Sequence, residues 1–300
     1  MKKKRGYRPR GKNTEILNWL LERVQSVPYS VSGRWAFYQC VEELGMAKSM
    51  SKDLGRLTGR ARKARWNGWA PWTLRDDTRQ LIQSGGGFVD IEEWIDEIKK
   101  ASPRYEKFSM QDSYVVVMFE AEAMRSQFVY YVSPYHIPMA PFKGDPSIDY
   151  KWRIAEFLDA LQVEYGKKPV TILYFGDYET DKNSGSRARG MTIPISALKD
   201  IEPWFYELQM KRGIDEEDLS RITFERCGLN KAQIDEWGLP SNPERPGEYQ
   251  WEALSDESAG GLIVESLKRH LNIGAIREVE EKEKADAERW RVFMDAKWGN

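Results

Sequence analysis

The chain has 300 residues, 41% of them hydrophobic, and its 46 Lys and Arg against 47 Asp and Glu give a formal net charge of −1. That length supports a large buried core and suggests two domains, while the longest apolar runs are too short to span a bilayer. Two cysteines, Cys40 and Cys227, and two histidines, His136 and His270, argue against a disulfide framework or a Cys/His zinc site. Any catalytic metal must therefore rest on carboxylates.

The charge is unevenly spread. Residues 1–66 hold sixteen Lys or Arg against five acids, an excess of +11, which leaves −12 for the rest. A basic block joined to an acidic remainder suggests a module for a polyanion, most simply nucleic acid. The opening Met1-Lys-Lys-Lys-Arg-Gly-Tyr-Arg-Pro-Arg has no apolar stretch behind it, so no secretory signal is expected there and the reading is a soluble, cytoplasmic protein.

In chain order, a basic tail over 1–13 precedes a first helix over 14–25, with Ile16, Leu17, Leu20, Leu21 and Val24 at helical spacing. A second helix spans 33–44, capped by Ser30 or Ser32 and stopped by Gly45, with Ala36, Phe37, Cys40, Val41 and Leu44 on one apolar face. Tyr38 falls roughly 120° from the centre of that stripe, beside Arg34, and is expected in solvent. Between 51 and 65, Leu54, Leu57, Ala61 and Ala64 share one side of a third helix, while Lys52, Arg56, Arg60 and Lys63 run down the other as candidate phosphate contacts. Trp66-Asn-Gly-Trp-Ala-Pro-Trp follows, and three short helices plus this aromatic turn suggest a winged helix-turn-helix unit over 14–105.

From 106 the pattern alternates: a strand at 114–119, a helix from about 121, a strand at 128–132, a Pro-rich loop to 145, a helix at 147–165 and a strand at 170–175. A helix over 195–210, a short strand at 221–226 and a helix at 230–237 come next, and 276–300 read as a charged C-terminal helix. The expected fold is α/β, a mostly parallel sheet flanked by helices over 106–275 behind an N-terminal helical or winged-helix domain. Two of its strands, Tyr114-Val-Val-Val-Met-Phe and Val170-Thr-Ile-Leu-Tyr-Phe, end in acids: Glu120 after the first, Asp177 and Glu179 after the second. Ligands of parallel sheets bind beyond the carboxyl ends of the strands, and hard divalent cations take oxygen ligands, so these three are the candidate metal ligands, for Mg2+ or Mn2+. Glu122 and Asp181 are placed outside that set. His136 and His270 are read as structural, and Lys182, Arg187 and Arg189 as loop cations within possible reach of a phosphate.

These features together resemble the topoisomerase VI A subunit, the meiotic double-strand-break transesterases and their small phage- and plasmid-borne relatives. Gly33-Arg-Trp-Ala-Phe-Tyr38 is similar to the family's Arg-x-x-Phe/Tyr-Tyr motif. Pro71-Trp-Thr-Leu-Arg-Asp-Asp-Thr-Arg79, Phe119-Glu120-Ala-Glu-Ala-Met, Gly176-Asp177-Tyr-Glu179, Thr223-Phe-Glu-Arg-Cys-Gly-Leu-Asn-Lys-Ala-Gln-Ile, Gly238-Leu-Pro and Trp251-Glu-Ala-Leu follow in the family's order. Ala121 stands where the family has Lys, and Glu179 where it has Asp. The resemblance implies a winged helix joined to a Toprim domain. It assigns Tyr38 as nucleophile with Arg34 beside it, and Glu120, Asp177 and Glu179 as the magnesium ligands. It further implies double-stranded DNA as substrate, a homodimer cutting both strands, and a separate ATPase partner, since the chain holds no Walker-type phosphate loop. Two other functions stay open on the residues themselves: a Toprim nuclease in which metal-activated water replaces the tyrosine, and a DNA-binding protein with a decayed site.

Overall fold

In a computed structural model the described residues are 9–45, 50–66, 87–120, 124–142, 144, 146–179, 191–242 and 244–298, with the backbone alone for 50–52 and 65–66. Three helices open the chain: α1 (Lys12–Gln25), α2 (Gly33–Leu44) and α3 (Met50–Trp66). The start of α2 follows the local chemistry. Ser32 is its cap, with Oγ accepting from the Trp35 N–H at 3.0 Å, and Gly45 closes it in the left-handed conformation that a Cβ penalises. In α3, Leu57, Ala61 and Ala64 are buried while Arg56 and Lys63 are exposed and Arg60 half-buried, so the helix is two-sided as its spacing implies. The side chain of Lys52, and the aromatic turn read as a wing after Trp66, residues 67–72, lie outside the described residues.

After α4 (Ile91–Lys100) come β1 (Tyr114–Phe119), α5 (Arg125–Val132), β2 (Met139–Pro141), α6 (Ile148–Tyr165), β3 (Val170–Phe175), α7 (Thr192–Lys211), β4 (Ile222–Gly228), α8 (Lys231–Trp237), α9 (Asp256–His270) and α10 (Ile273–Trp298). The four strands form one parallel sheet in the order β2-β1-β3-β4. Every residue of β1 and β3 is buried, because the sheet is covered on both faces. Tyr114, Val116, Met118, Ile172 and Tyr174 pack on α6 and α7; Val115, Val117, Phe119, Leu173 and Phe175 face α5, α9 and Trp251. That second cluster continues without a break into α1, α2 and α3, so the N-terminal helices share a core with the sheet.

The segment 128–132 is a correction. Its aromatic and β-branched residues read as strand, yet it is the end of α5, with Phe128 and Val132 one helical turn apart and buried, and Val129 and Tyr130 exposed. The sheet edge is supplied instead by Met139–Pro141, from the stretch read as loop. Strand propensity reflects a fit to a half-buried pleated surface, and tertiary packing overrides it here. Among the described residues, no helix is long and apolar enough to cross a membrane.

Candidate metal centre

From β1 the chain goes to β2 on one side and then returns to β3 on the other, so the sheet has its topological switch point between β1 and β3. The crevice beyond the carboxyl ends of two such strands is where open parallel sheets bind ligands. Phe119 pairs with Phe175 in register, and the Glu120 N–H donates to the Phe175 carbonyl at 2.9 Å. Glu120 and the residues after Phe175 therefore leave the sheet side by side.

One carboxylate oxygen each from Glu120, Asp177 and Glu179 lie within 4.8 Å of one another. Octahedral magnesium binds oxygens at about 2.1 Å, so opposite ligands stand about 4.2 Å apart and the cluster is of that size. The donor set, all carboxylate oxygen, suits a hard divalent cation. The three acids proposed from the strand ends are thus brought together by the fold.

Their surroundings raise the cost of carrying charge. Asp177 is 8% exposed, and burial, then Glu252 and Glu120, hold its carboxyl well above the usual carboxylate range. Burial and then the neighbouring Glu179 push Glu120 upward as well. Partial compensation comes from donors: the Trp251 N–H bonds Asp177 Oδ1 at 2.8 Å, and the Tyr174 hydroxyl bonds Glu120 Oε2 at 3.1 Å. Arg226, at the end of β4, donates to the carbonyls of Gly176 at 3.1 Å and Asp177 at 2.7 Å and lies over the Tyr174 ring. Burial against like charges disfavours the charged form of these carboxyls, and a cation among them would offset that repulsion.

Tyr38 and Arg34 reach the same place. Residues 249–254 lie against this edge of the sheet, pinned by paired backbone bonds between Tyr178 and Tyr249 at 2.8 and 2.9 Å. Gln250 Oε1 accepts from Arg34 Nε at 3.1 Å and from the Tyr38 hydroxyl, and Arg34 Nε stands 3.6 Å from Glu252 Oε1. The expected exposure of Tyr38 is overturned: the residue is 1% exposed. Its position off the main apolar stripe is covered by a segment more than two hundred residues further along the chain. Burial is also the largest influence on the phenol, raising its pKa above the ordinary tyrosine value, the opposite of activation.

The remaining candidates separate. His270 pairs through Nε2 with Glu225 at 2.7 Å, beside Arg269, and His136 closes a short turn after α5, so both have structural surroundings. Glu122, Asp181, Lys182, Arg187 and Arg189 lie outside the described residues. Reasoning from strand ends missed Gln250, Glu252 and Arg226. An arginine at the end of a third strand was a usable signal for Arg226; nothing in the spacing marks Glu252, whose role depends on a long-range contact. Comparison of the chain with family models, with curated proteins and with solved structures returned no match.

Proposed function

We propose that this protein is a divalent-metal-dependent phosphodiesterase acting on DNA by hydrolysis, with Glu120, Asp177 and Glu179 as its metal-holding residues. The observation that carries the reading is the convergence of those three carboxylates within 4.8 Å at the switch point of a parallel sheet. The fold around it fits a Toprim-like domain, and the basic excess of residues 1–66, with the cationic side of α3, supports DNA as the substrate. Glu120, Asp177 and Glu179 would hold a magnesium or manganese ion, which would supply charge compensation at a phosphate oxygen and lower the pKa of water. The chain's own residues do the rest: Asp177 is fixed by the Trp251 N–H, Glu120 by Tyr174, and Arg226 holds the backbone on which Asp177 is mounted.

Hydrolysis is preferred to tyrosine transfer because the Tyr38 hydroxyl is buried and its proton is engaged by Gln250. One observation favours transesterification as a second reading: Tyr38 and Arg34 stand next to Glu252 and within electrostatic reach of Asp177. That mechanism requires α2 to leave Gln250 and present the phenol to a phosphodiester. Incubating the protein with supercoiled DNA and magnesium, then denaturing, separates the two. Nicked or linear DNA with protein-free ends supports hydrolysis, and protein covalently attached to the ends supports transesterification. Intact DNA under all metal conditions would refute both.

A further inference from the structure

The helix α4 carries Ile91, Trp94, Ile95 and Ile98 in one stripe, at the i, i+3, i+4, i+7 spacing of an apolar helix face. Such a face normally enters a core, yet no residue of α4 is buried. Ile91 is 55% and Trp94 42% exposed, and Ile95 and Ile98 are half-buried. The partial cover comes from α10 at the C-terminal end of α4. There Trp290 Nε1 donates to the Ile98 carbonyl at 2.9 Å and Lys99 Nζ to the Trp298 carbonyl at 3.0 Å. Towards its start the stripe is open, and Phe88 and Val89 just before the helix are exposed as well. A contiguous apolar surface of this kind marks an interaction site.

The charges beside the stripe identify what fits it. α4 is capped by Asp90, has Glu92 and Glu93 in its first turn and ends in Lys99 and Lys100. Glu92 and Lys99 are two helical turns apart, so they lie on the same flank of the apolar stripe. A two-fold axis perpendicular to α4 sets the helices of two copies antiparallel, and each flank then faces its own counterpart. Glu92 of either copy meets Lys99 of the other, while Ile91 lies opposite Ile98 and Trp94 opposite Ile95. A parallel arrangement would set acidic end against acidic end. The face is therefore complementary to itself in one direction.

We propose that α4 is a self-association surface, through which two copies of this chain pair by antiparallel α4 helices in an isologous contact. Burial of Ile91 and Trp94 supplies the attraction, and the two Glu92–Lys99 pairs set the direction. A contact centred on one 10-residue helix is small, so the association is weak and depends on concentration.

The test is sedimentation equilibrium of the full chain without DNA, at low salt, from about 1 to about 200 μM, with circular dichroism as the check on folding. We expect the wild type to pass from monomer to dimer across that range and Trp94→Ser to stay monomeric. Glu92→Lys sets lysine against lysine twice and is expected to weaken the dimer about tenfold. Combining Glu92→Lys with Lys99→Glu is expected to restore association to within a few-fold of wild type. That double variant reverses the charges at both ends of α4 against the helix dipole, so its rescue cannot come from a more stable helix. A wild type that is monomeric throughout overturns the proposal. So does a dimer unchanged in Trp94→Ser, or a loss in Glu92→Lys that the double variant does not repair. Should the charge variants lose helix, Trp94→Ser decides alone: loss of the dimer supports the surface, and an unchanged dimer refutes it.

Discussion

A Cβ placed on Gly176 would stand 2.8 Å from Glu120 Oε2 and equally close to the ring and hydroxyl of Tyr174. Glu120 and its hydroxyl partner Tyr174 thus occupy the space that any side chain at 176 would need. Gly176→Ala is expected to destabilise the fold by about 1–3 kcal/mol through overpacking and to weaken Mn2+ binding by displacing Glu120. Gly261→Ala, on an exposed part of α9 with nothing within 4 Å, is the control and is expected to be neutral or stabilising by up to about 1 kcal/mol. Urea denaturation with a parallel Mn2+ titration checks both; equal stability and equal metal affinity in the two variants would show that the close approach has no consequence.

The raised pKa values of Asp177 and Glu120 carry a definite sign. A carboxyl that binds its proton more tightly in the folded state than in the unfolded one makes stability fall as pH rises from the ordinary carboxylate range, about 4, through the raised folded value. The metal-free protein is therefore expected to lose melting temperature as pH rises above the ordinary carboxylate range, about 4, and magnesium to restore it once these carboxyls have lost their protons and are free to bind. Melting curves in EDTA and in magnesium across that range test this. A pH dependence in EDTA that is unchanged in Asp177→Asn would contradict the assigned burial of charge.

Tyr38→Phe removes the hydroxyl that donates to Gln250 and leaves Arg34 on the same oxygen. We expect a loss of about 0.5–1.5 kcal/mol in stability and DNA cleavage within a few-fold of wild type, since a hydrolytic site does not use the phenol. Abolished cleavage in a folded Tyr38→Phe protein would reverse the order of the two mechanisms proposed above.

Arg56, Arg60 and Lys63 lie on the side of α3 opposite the buried Leu57, Ala61 and Ala64. If they contact phosphates, each Ala substitution lowers the slope of log affinity against log salt by about 1, with little dependence on DNA sequence. Fluorescence anisotropy at several salt concentrations measures it, and an unchanged slope in the triple variant would move the DNA interface elsewhere.

The sequence by itself determined the strands β1 and β3, the helices α2, α3, α6 and α8, and the three acids at the switch point, because each rests on local physics. Apolar runs of β-branched and aromatic residues form strands buried on both faces, Ser32 and Gly45 bound α2, and Asn230 caps α8 through a reciprocal bond with Gln233. Only the tertiary structure decided which strands are neighbours, that 128–132 is helix and 139–141 strand, and that residues 249–254 cover Tyr38. Helical periodicity ranks the faces of α2 by polarity but carries no information about a turn more than two hundred residues further along the chain. The same long-range contact brings Glu252 to Asp177, so the acids at strand ends are legible as a candidate site while the residues that bury and hold them appear only once the chain has closed.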